Sequence, residues 1–216
     1  MAMTLPVTPR VVTVMRKGRG AVSTQDGAYA DRLARLQGAW WKKLLPVQLP
    51  YRRNIRRVCA GRVLDVGCGL GRNLLHLDQG SVGVDHNVAL VQACRDQGAV
   101  AYTPEELLAS PHGQRAGFDA LLLAHVVEHL TAEQADEVLV TYLPYLRPGG
   151  VVHLITPQER GQAFDPTHLR FCDAAVLGDL AHRHGLRVER SYSFPFPRAA
   201  GRVFVYNEFN VVARLP

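Results

Sequence analysis

The segment from Val63 to Gly71, with the sequence VLDVGCGLG, constrains the fold of this chain more than any other. An aliphatic run typical of a buried strand contains Asp65 near its end, and glycines follow at positions 67, 69 and 71. Glycine adopts positive φ without a Cβ penalty and lets the backbone approach a ligand closely. We therefore predict a strand, a tight turn and a helix, with Asp65 at the strand's carboxyl end, where open α/β sheets bind ligands.

Strand and helix patterns alternate along the rest of the chain. We expect strands near residues 62–66, 81–85, 99–103, 118–124, 150–155, 186–193 and 203–213, and helices near 71–78, 87–97, 131–143 and 173–184. Such alternation builds a mostly parallel sheet with helices on both faces. Because Phe194–Arg198 offers no helix between the last two strands, we predict that they form an antiparallel hairpin.

The region before this alternation divides into two parts. Residues 1–27 show no periodicity, so we expect a flexible basic tail. Within 28–60, apolar residues spaced by three or four, from Leu33 to Leu44, predict an amphipathic helix, and a second helix over Tyr51–Val58 follows Pro50. Residues 61–216 form the main domain.

Charge is distributed unevenly between these parts. Residues 1–62 hold 13 of the 25 Lys and Arg but only 2 of the 19 Asp and Glu. Such asymmetry is typical of proteins with an anionic partner, including nucleic acid. A solvated helix face with an arginine-rich tail explains the same pattern, and both interpretations stay open.

Composition excludes several classes of protein. No apolar run reaches the ~18–20 residues that a membrane span needs, and the N-terminus lacks the apolar stretch of a secretory signal. The four cysteines form no C-x-x-C pair, which argues against a disulfide framework or a cysteine zinc site. We expect reduced thiols, a cytoplasmic location and no membrane partner. The oligomeric state is left open.

Four segments, in order and spacing, resemble the class I S-adenosylmethionine-dependent methyltransferases. They are VLDVGCGLGRN (63–73), GVDHN (83–87), FDALLLAHVVEHL (118–130) and LRPGGVVHLITP (146–157). The resemblance implies a Rossmann-like methyltransferase domain over 61–216, S-adenosylmethionine as cofactor, and helices within 28–60 that cap the cofactor cleft.

The resemblance also implies a cofactor site. Its first part comprises Asp65 and the turn residues Gly67, Cys68, Gly69 and Gly71, with the turn approaching the methionine part of the cofactor. Its second part comprises Asp85, which accepts from the ribose hydroxyls, and His86 and Asn87, which flank the adenine. Thr103 stands where the family often has an acid for the adenine amine, and Thr103, Pro104 and Glu105 are alternatives for that role.

A second group of polar residues follows the fourth strand. In a helix, His125, Glu128 and His129 would share one face, and His168 comes later from the segment after the fifth strand. The pattern is similar to that of magnesium-dependent small-RNA 2′-O-methyltransferases and ubiquinone-pathway O-methyltransferases, in which a Glu-x-x-Glu-His and a later His bind a divalent metal. His125 replaces the first glutamate, and a set so rich in imidazole suits Zn²⁺, Mn²⁺ or Fe²⁺ better than Mg²⁺.

Three roles for this group stay open. Glu128, His129 and His168 are candidate catalytic residues, either as metal ligands or around a metal-free site in which His129 or His168 is a general base. Alternatively, the group is structural or lies on the cofactor side, to which His125 is assigned. For His153 we expect a packing position in its strand. Glu208 could reach the pocket from the last strand, but its position favours an exposed strand site.

Histidines around the pocket favour an oxygen acceptor, since a hydroxyl must lose its proton and a nitrogen lone pair need not. We predict O-methylation of a small molecule or a sugar hydroxyl. One alternative is an RNA methyltransferase that uses the basic N-terminal region. Another is a catalytically inactive, cofactor-binding sensor or scaffold.

Overall fold

A seven-stranded sheet is the centre of the fold. The computed structural model describes residues 48–216, and the strands are β1 (Val63–Val66), β2 (Val82–Val84), β3 (Ala101–Tyr102), β4 (Phe118–Ala124), β5 (Leu146–Pro157), β6 (Arg187–Phe194) and β7 (Glu208–Arg214). Their order across the sheet is β3-β2-β1-β4-β5-β7-β6. The first five strands are parallel, and β7 pairs antiparallel with both β5 and β6. The predicted Rossmann-like sheet with a final antiparallel hairpin is confirmed.

Six helices connect or precede the strands. They are α1 (Leu49–Val58), α2 (Val88–Asp96), α3 (Pro104–Ala109), α4 (Ala132–Tyr142), α5 (Glu159–Gln162) and α6 (Ala174–Arg183), counted within residues 48–216. Thr131 and Gln134 form a capping box at the start of α4. In this part of the chain no helix combines the length and apolarity that a membrane crossing requires.

Both faces of the sheet are covered, because side chains alternate along each strand. On one face Leu121 and Leu123 of β4 pack in a cluster with Leu139 of α4 and Leu177 of α6. On the other face, Leu122 of β4 packs in a cluster with residues of α1 and β5. The continuous apolar run of β4 is therefore the sequence signature of a strand buried on two sides.

A buried polar chain ties α1 to the final hairpin. Asn54 of α1 donates through Nδ2 to Asn210 Oδ1 of β7 at 2.9 Å and accepts from the Tyr192 hydroxyl of β6 at 2.8 Å. His153 Nε2 lies 2.9 Å from the same Asn210 Oδ1, and its Nδ1 lies 3.8 Å from Cys59 Sγ. His153 is thus the buried packing residue that its strand position predicts.

Local departures from the sequence prediction have physical causes. Of the helix predicted over 71–78, only a 3-10 turn over Leu74–His76 forms. Gly67, Gly69 and Gly71 all have positive φ, so the turn after β1 extends into the start of this segment. The strand predicted from residue 203 begins at Glu208, since 195–207 is an irregular connection with a 3-10 helix over Arg198–Arg202.

Other predictions fall outside the described residues. The tail over 1–27 and the amphipathic helix with Leu33, Leu36, Trp40 and Leu44 stay predictions. Helix α1 begins at Leu49, close to the predicted Tyr51, and Tyr51 donates its hydroxyl proton to Tyr206 O at 2.9 Å.

The buried His153 predicts an acid-sensitive fold. Burial lowers the pKa of His153 to about 4, opposed by the bond to Asn210, whereas an unfolded histidine titrates near ~6.5. The stabilising contribution of the neutral form is therefore present above about pH 6.5 and is lost as pH falls towards 4, by about 3 kcal/mol. Urea unfolding at several pH values checks this: His153→Gln should lose less stability than wild type across that window. An equal loss in both proteins would contradict the assignment.

Candidate functional site

Buried acids gather at one edge of the sheet. Within residues 48–216 the buried carboxylates are Asp65, Asp85, Glu128 and Glu208, each between 0% and 7% exposed. Three lie at or after the carboxyl ends of parallel strands, and Glu208 begins β7, which runs the opposite way. Burying a charge is costly unless it is paired, so this concentration marks the edge as a site for cationic or hydrogen-donating groups.

The glycine turn after β1 presents its backbone at this edge. Gly67 and Cys68 donate their N–H groups to Val84 O of β2 at 2.8 and 3.1 Å, and Gly69 N–H donates to Asp85 Oδ2 at 3.0 Å. Gly69 has φ +55°, and a Cβ placed there would meet no atom of residues 48–216 within 4 Å. Hydrogen bonds therefore hold the turn to β2 on one side, and at Gly69 its other side has no neighbour in the described part of the chain.

Asp65 and Asp85 flank the turn and differ in their hydrogen bonding. Asp65 Oδ2 has no hydrogen-bond partner among the described residues, and burial raises the pKa of Asp65 to about 7, with Arg72 lowering it and Asp85 raising it. Asp85 Oδ1 accepts from Asn87 N–H at 2.9 Å, and His86 Nδ1 lies 3.6 Å from that oxygen. Asn87 caps α2 through its side chain.

The three candidates for contact with the adenine, Thr103, Pro104 and Glu105, have different positions at the start of α3. Thr103 Oγ1 accepts from Glu106 N–H, and Glu106 reciprocates to the Thr103 N–H, so Thr103 is the N-cap of α3. Pro104 occupies the first helical position, and Glu105 is exposed in the first turn. Helix α3 was missing from the sequence prediction, although Thr-Pro-Glu-Glu carries the signals of a helix start.

His125 lies between two buried carboxylates. Its Nε2 is 2.9 Å from Glu208 Oε1, and its Nδ1 is 3.3 Å from Glu128 Oε1. Burial alone would lower the pKa of His125, but the two carboxylates, Glu128 and Glu208, raise it to about 9, so the ring is an imidazolium. The expectation of an exposed Glu208 is wrong, because the start of β7 faces the end of β4 across this edge.

The helix in which His125, Glu128 and His129 would share one face does not form. Only Val127–His129 form a 3-10 turn, and His125 precedes it with φ +61°. His125 and Glu128 still meet, but the His125 ring is engaged with the two carboxylates and does not join the histidines beyond them.

Glu128, His129 and His168 converge as the sequence predicted. One ligand atom from each residue lies within 4.8 Å of the others, and the two imidazole rings are 4.8 Å apart at 64°. Glu128 is fully buried, and neither of its oxygens has a hydrogen-bond partner within residues 48–216, His125 being an ion-pair contact poorly aligned for a bond. Burial would raise the pKa of Glu128, but His125 and His129 hold it low, so the group is a carboxylate.

Backbone carbonyls fix the tautomers of both histidines. His129 Nδ1 lies 3.2 Å from Thr167 O, and His168 Nδ1 lies 3.0 Å from Gln162 O. A carbonyl oxygen only accepts, so each Nδ1 carries a proton, and the neutral form of each ring has its lone pair on Nε2. Burial lowers the pKa of His129, which favours its neutral ring. With both rings neutral, the cluster offers one carboxylate and two imidazole nitrogens as acceptors.

The segment that leads into this cluster packs against the glycine turn. A Cβ added at Gly67 would lie 2.6 Å from Val126 Cγ2, so only glycine admits the segment that carries Glu128. The two halves of the candidate site therefore form one continuous edge.

Comparisons with known proteins agree with this architecture. Residues 63–150 match a family model described as a methyltransferase domain. Ubiquinone biosynthesis O-methyltransferases from strains of Xanthomonas oryzae pv. oryzae are 28% identical over 151 residues. The match covers 62% of this chain and 62% of the length of these curated relatives.

Solved structures share the fold. A SAM-dependent methyltransferase from Archaeoglobus fulgidus has a TM-score of 0.64 and 21% identity, with 88% of this chain and 100% of that chain covered. Magnesium protoporphyrin IX methyltransferase from Synechocystis PCC 6803, with bound SAH, has a TM-score of 0.60 and 16% identity, covering 89% and 97%. The matched methyltransferase model, the curated relatives and the shared fold together support a relationship to the class I S-adenosylmethionine-dependent methyltransferase superfamily.

The pairing of His125 predicts a measurable shift on removing Glu208. A folded pKa above the unfolded value means that the pair stabilises fully below about pH 6.5, and that this contribution is lost as pH rises through about 9. Glu208→Gln should lower the pKa of His125 below its wild-type value, since one of two anions is gone. Imidazole NMR titration of the metal-free protein measures it, with Glu189→Gln on β6 as the matched control. A wild-type His125 that titrates at an ordinary histidine pKa would contradict the pairing.

Proposed function

We propose that this protein, as a member of that superfamily, transfers the methyl group of S-adenosylmethionine to a hydroxyl oxygen of a small molecule or a sugar. The observation that carries the proposal is the convergence of Glu128, His129 and His168 beside the glycine turn. The O-methyltransferases among the relatives support the same acceptor class.

The cofactor side of the edge fits the charges of the proposed ligand. The unpartnered Oδ2 of Asp65 suits the ammonium of the methionine part, which would supply the missing donor and favour the carboxylate form. Asp85 already accepts two backbone N–H bonds, and its remaining lone pairs suit ribose hydroxyls. Open space at Gly69 leaves room for the ligand to lie against the turn.

The acceptor side fits a hydroxyl. Methyl transfer from a sulfonium needs an aligned nucleophile, and a hydroxyl becomes one as it loses its proton. The Nε2 atoms of His129 and His168 are our candidates for the base that takes this proton, because the Nδ1 atoms are bonded to carbonyls. The His125 imidazolium, held by Glu208, neutralises part of the negative charge of Glu128.

The same three groups fit a divalent metal. A carboxylate whose oxygens lack donors and two imidazole lone pairs form a donor set suited to Mn²⁺, Fe²⁺ or Zn²⁺, and we propose Glu128, His129 and His168 as its ligands. A bound metal would supply Lewis-acid stabilisation of the acceptor oxygen as its proton leaves. His125 is excluded from this set by its two carboxylate partners.

The alternative functions have less support. Most of the basic residues on which an RNA methyltransferase would depend precede residue 48, so that alternative stays a prediction. Of those within the described part, Arg56 lies 3.3 Å from Asp78, and Arg62 donates to Gly80 O. An inactive sensor or scaffold likewise stays a prediction.

The Asp65 assignment predicts a pH-dependent affinity for S-adenosylhomocysteine. Binding should tighten as pH rises through about 7, because the carboxylate form of Asp65 pairs with the ligand ammonium. Asp65→Asn should weaken binding by about tenfold or more and remove this pH dependence, since a charged hydrogen bond is worth ~1.5–3 kcal/mol. Calorimetry measures both effects. The exposed Asp96→Asn is the matched control, and unchanged affinity in the Asp65 variant would refute the placement.

The acceptor side predicts a loss of turnover without a loss of cofactor binding. His168→Ala should reduce methyl transfer by about tenfold or more, as expected for a lost base or ligand, while affinity for S-adenosylhomocysteine stays nearly unchanged. A radiolabelled-cofactor assay with a panel of hydroxyl compounds measures turnover, and the exposed His182→Ala is the control.

A chelator separates the two chemistries of that site. Loss of activity with chelator and recovery with Mn²⁺ would identify the metal form, whereas chelator-insensitive activity that still needs His168 would identify the general base. Activity indifferent to both treatments would contradict the proposed role of the cluster.

A further inference from the structure

A tight loop supplies the carbonyl that binds His129. Asp165 Oδ1 accepts two bonds from Thr167, from its N–H at 2.9 Å and from its hydroxyl at 2.8 Å. The backbone closes the same turn, with His168 N–H donating to Asp165 O at 3.2 Å. Neither Asp165 nor Thr167 was among the predicted site residues, although both belong to the segment that carries His168.

The direction of each bond in this loop is determined. The Asp165 carboxylate only accepts, so the Thr167 hydroxyl gives it its one proton and keeps lone pairs. Thr167 Oγ1 and Thr167 O each lie 3.2 Å from His129 Nδ1. Both are therefore acceptors towards the ring, and His129 Nδ1 is the donor to the pair.

The consequence is a directed lone pair. With its proton on Nδ1, His129 presents a bare Nε2, and Gln162 O imposes the same tautomer on His168. In the opposite tautomer, the Nδ1 lone pair of His129 would face two acceptor oxygens of Thr167 with no proton between them. The proton would be on Nε2, where neither oxygen could accept it. Outer groups of this kind set the orientation and basicity of an imidazole ligand.

We propose that Asp165 and Thr167 are positioning residues that hold His129 as its Nδ1–H tautomer and thereby aim its Nε2 lone pair at Glu128 and His168. The proposal rests on the proposed function only for the use of that lone pair. Asp165 acts through Thr167, and Thr167 acts through His129.

Long-range ¹H–¹⁵N NMR of the imidazoles in the full-length, metal-free protein reads the tautomers directly. In wild type, His129 and His168 should both carry the proton on Nδ1, while His153, whose Nε2 bonds Asn210, serves as an internal reference of the opposite tautomer. Asp165→Ala should convert His129 to a mixture of tautomers. Asp165→Asn should preserve the wild-type form, because the amide oxygen accepts both Thr167 bonds.

A second pair of variants guards against misfolding of the first. Thr167→Val removes both the donor to Asp165 and one acceptor of His129, and Thr167→Ser keeps them. Titration with Mn²⁺ alone should show affinity reduced by about tenfold or more in Asp165→Ala and Thr167→Val, but not in their conservative partners. His129 tautomers unchanged in both disruptive variants, or disrupted equally in the conservative ones, would overturn the proposal.

These readouts separate this inference from the proposed function. Tautomers that respond as described in a protein without methyl transfer would leave the positioning role standing and refute the proposed activity. Methyl transfer in a protein whose His129 tautomer does not change in the Asp165 and Thr167 variants would support the proposed activity and refute the positioning role.

Discussion

The parallel pairing of β1 with β4 is the interaction on which the candidate site depends. Leu64 pairs with Leu121 and Asp65 with Leu122, so both strands end at the same edge of the sheet. The glycine turn follows one strand and the Glu128 segment follows the other, and they meet where Val126 approaches Gly67. Packing of β4 on both faces fixes this register, since a slip of one residue would exchange its two buried sets.

Electrostatics at this edge follow from the same topology. Strand ends bring four buried carboxylates together, and the His125 imidazolium offsets part of that charge between Glu128 and Glu208. Within residues 48–216, one oxygen of Asp65 has no hydrogen-bond partner, and the Glu128 carboxylate has the His125 ion pair but no hydrogen bond. A ligand with an ammonium and a sulfonium suits the first, and a metal or an acceptor hydroxyl suits the second. The fold thus brings the proposed cofactor side, at Asp65, and the proposed acceptor side, at Glu128, to the same edge of the sheet.

The sequence predicted those parts of the site that local pattern encodes. The glycine turn, the acid after β2 and the convergence of Glu128, His129 and His168 follow from motif order and strand ends. The pairing of Glu208 with His125 could not be predicted in this way, because the two residues are 83 positions apart and a strand position favours exposure. The tautomers of the histidines were equally invisible, since they depend on carbonyls of a loop without periodicity. Helix α3 is different, because its N-cap Thr103 and the following Pro104 are local signals of a helix start. From the sequence alone, these residues are instead candidates for contact with the adenine.

Anomalous diffraction from crystals grown with S-adenosylhomocysteine and Mn²⁺ tests most directly whether this edge is the active site. We expect the ligand against the glycine turn with its ammonium at Asp65, and, in the metal form of the site, a manganese peak at Glu128 and at Nε2 of His129 and His168. Density for the ligand against the glycine turn with no manganese, and with donors bound to Glu128 instead, would reduce the cluster to a metal-free base. A ligand bound elsewhere on the sheet would contradict the central claim that this edge is the active site.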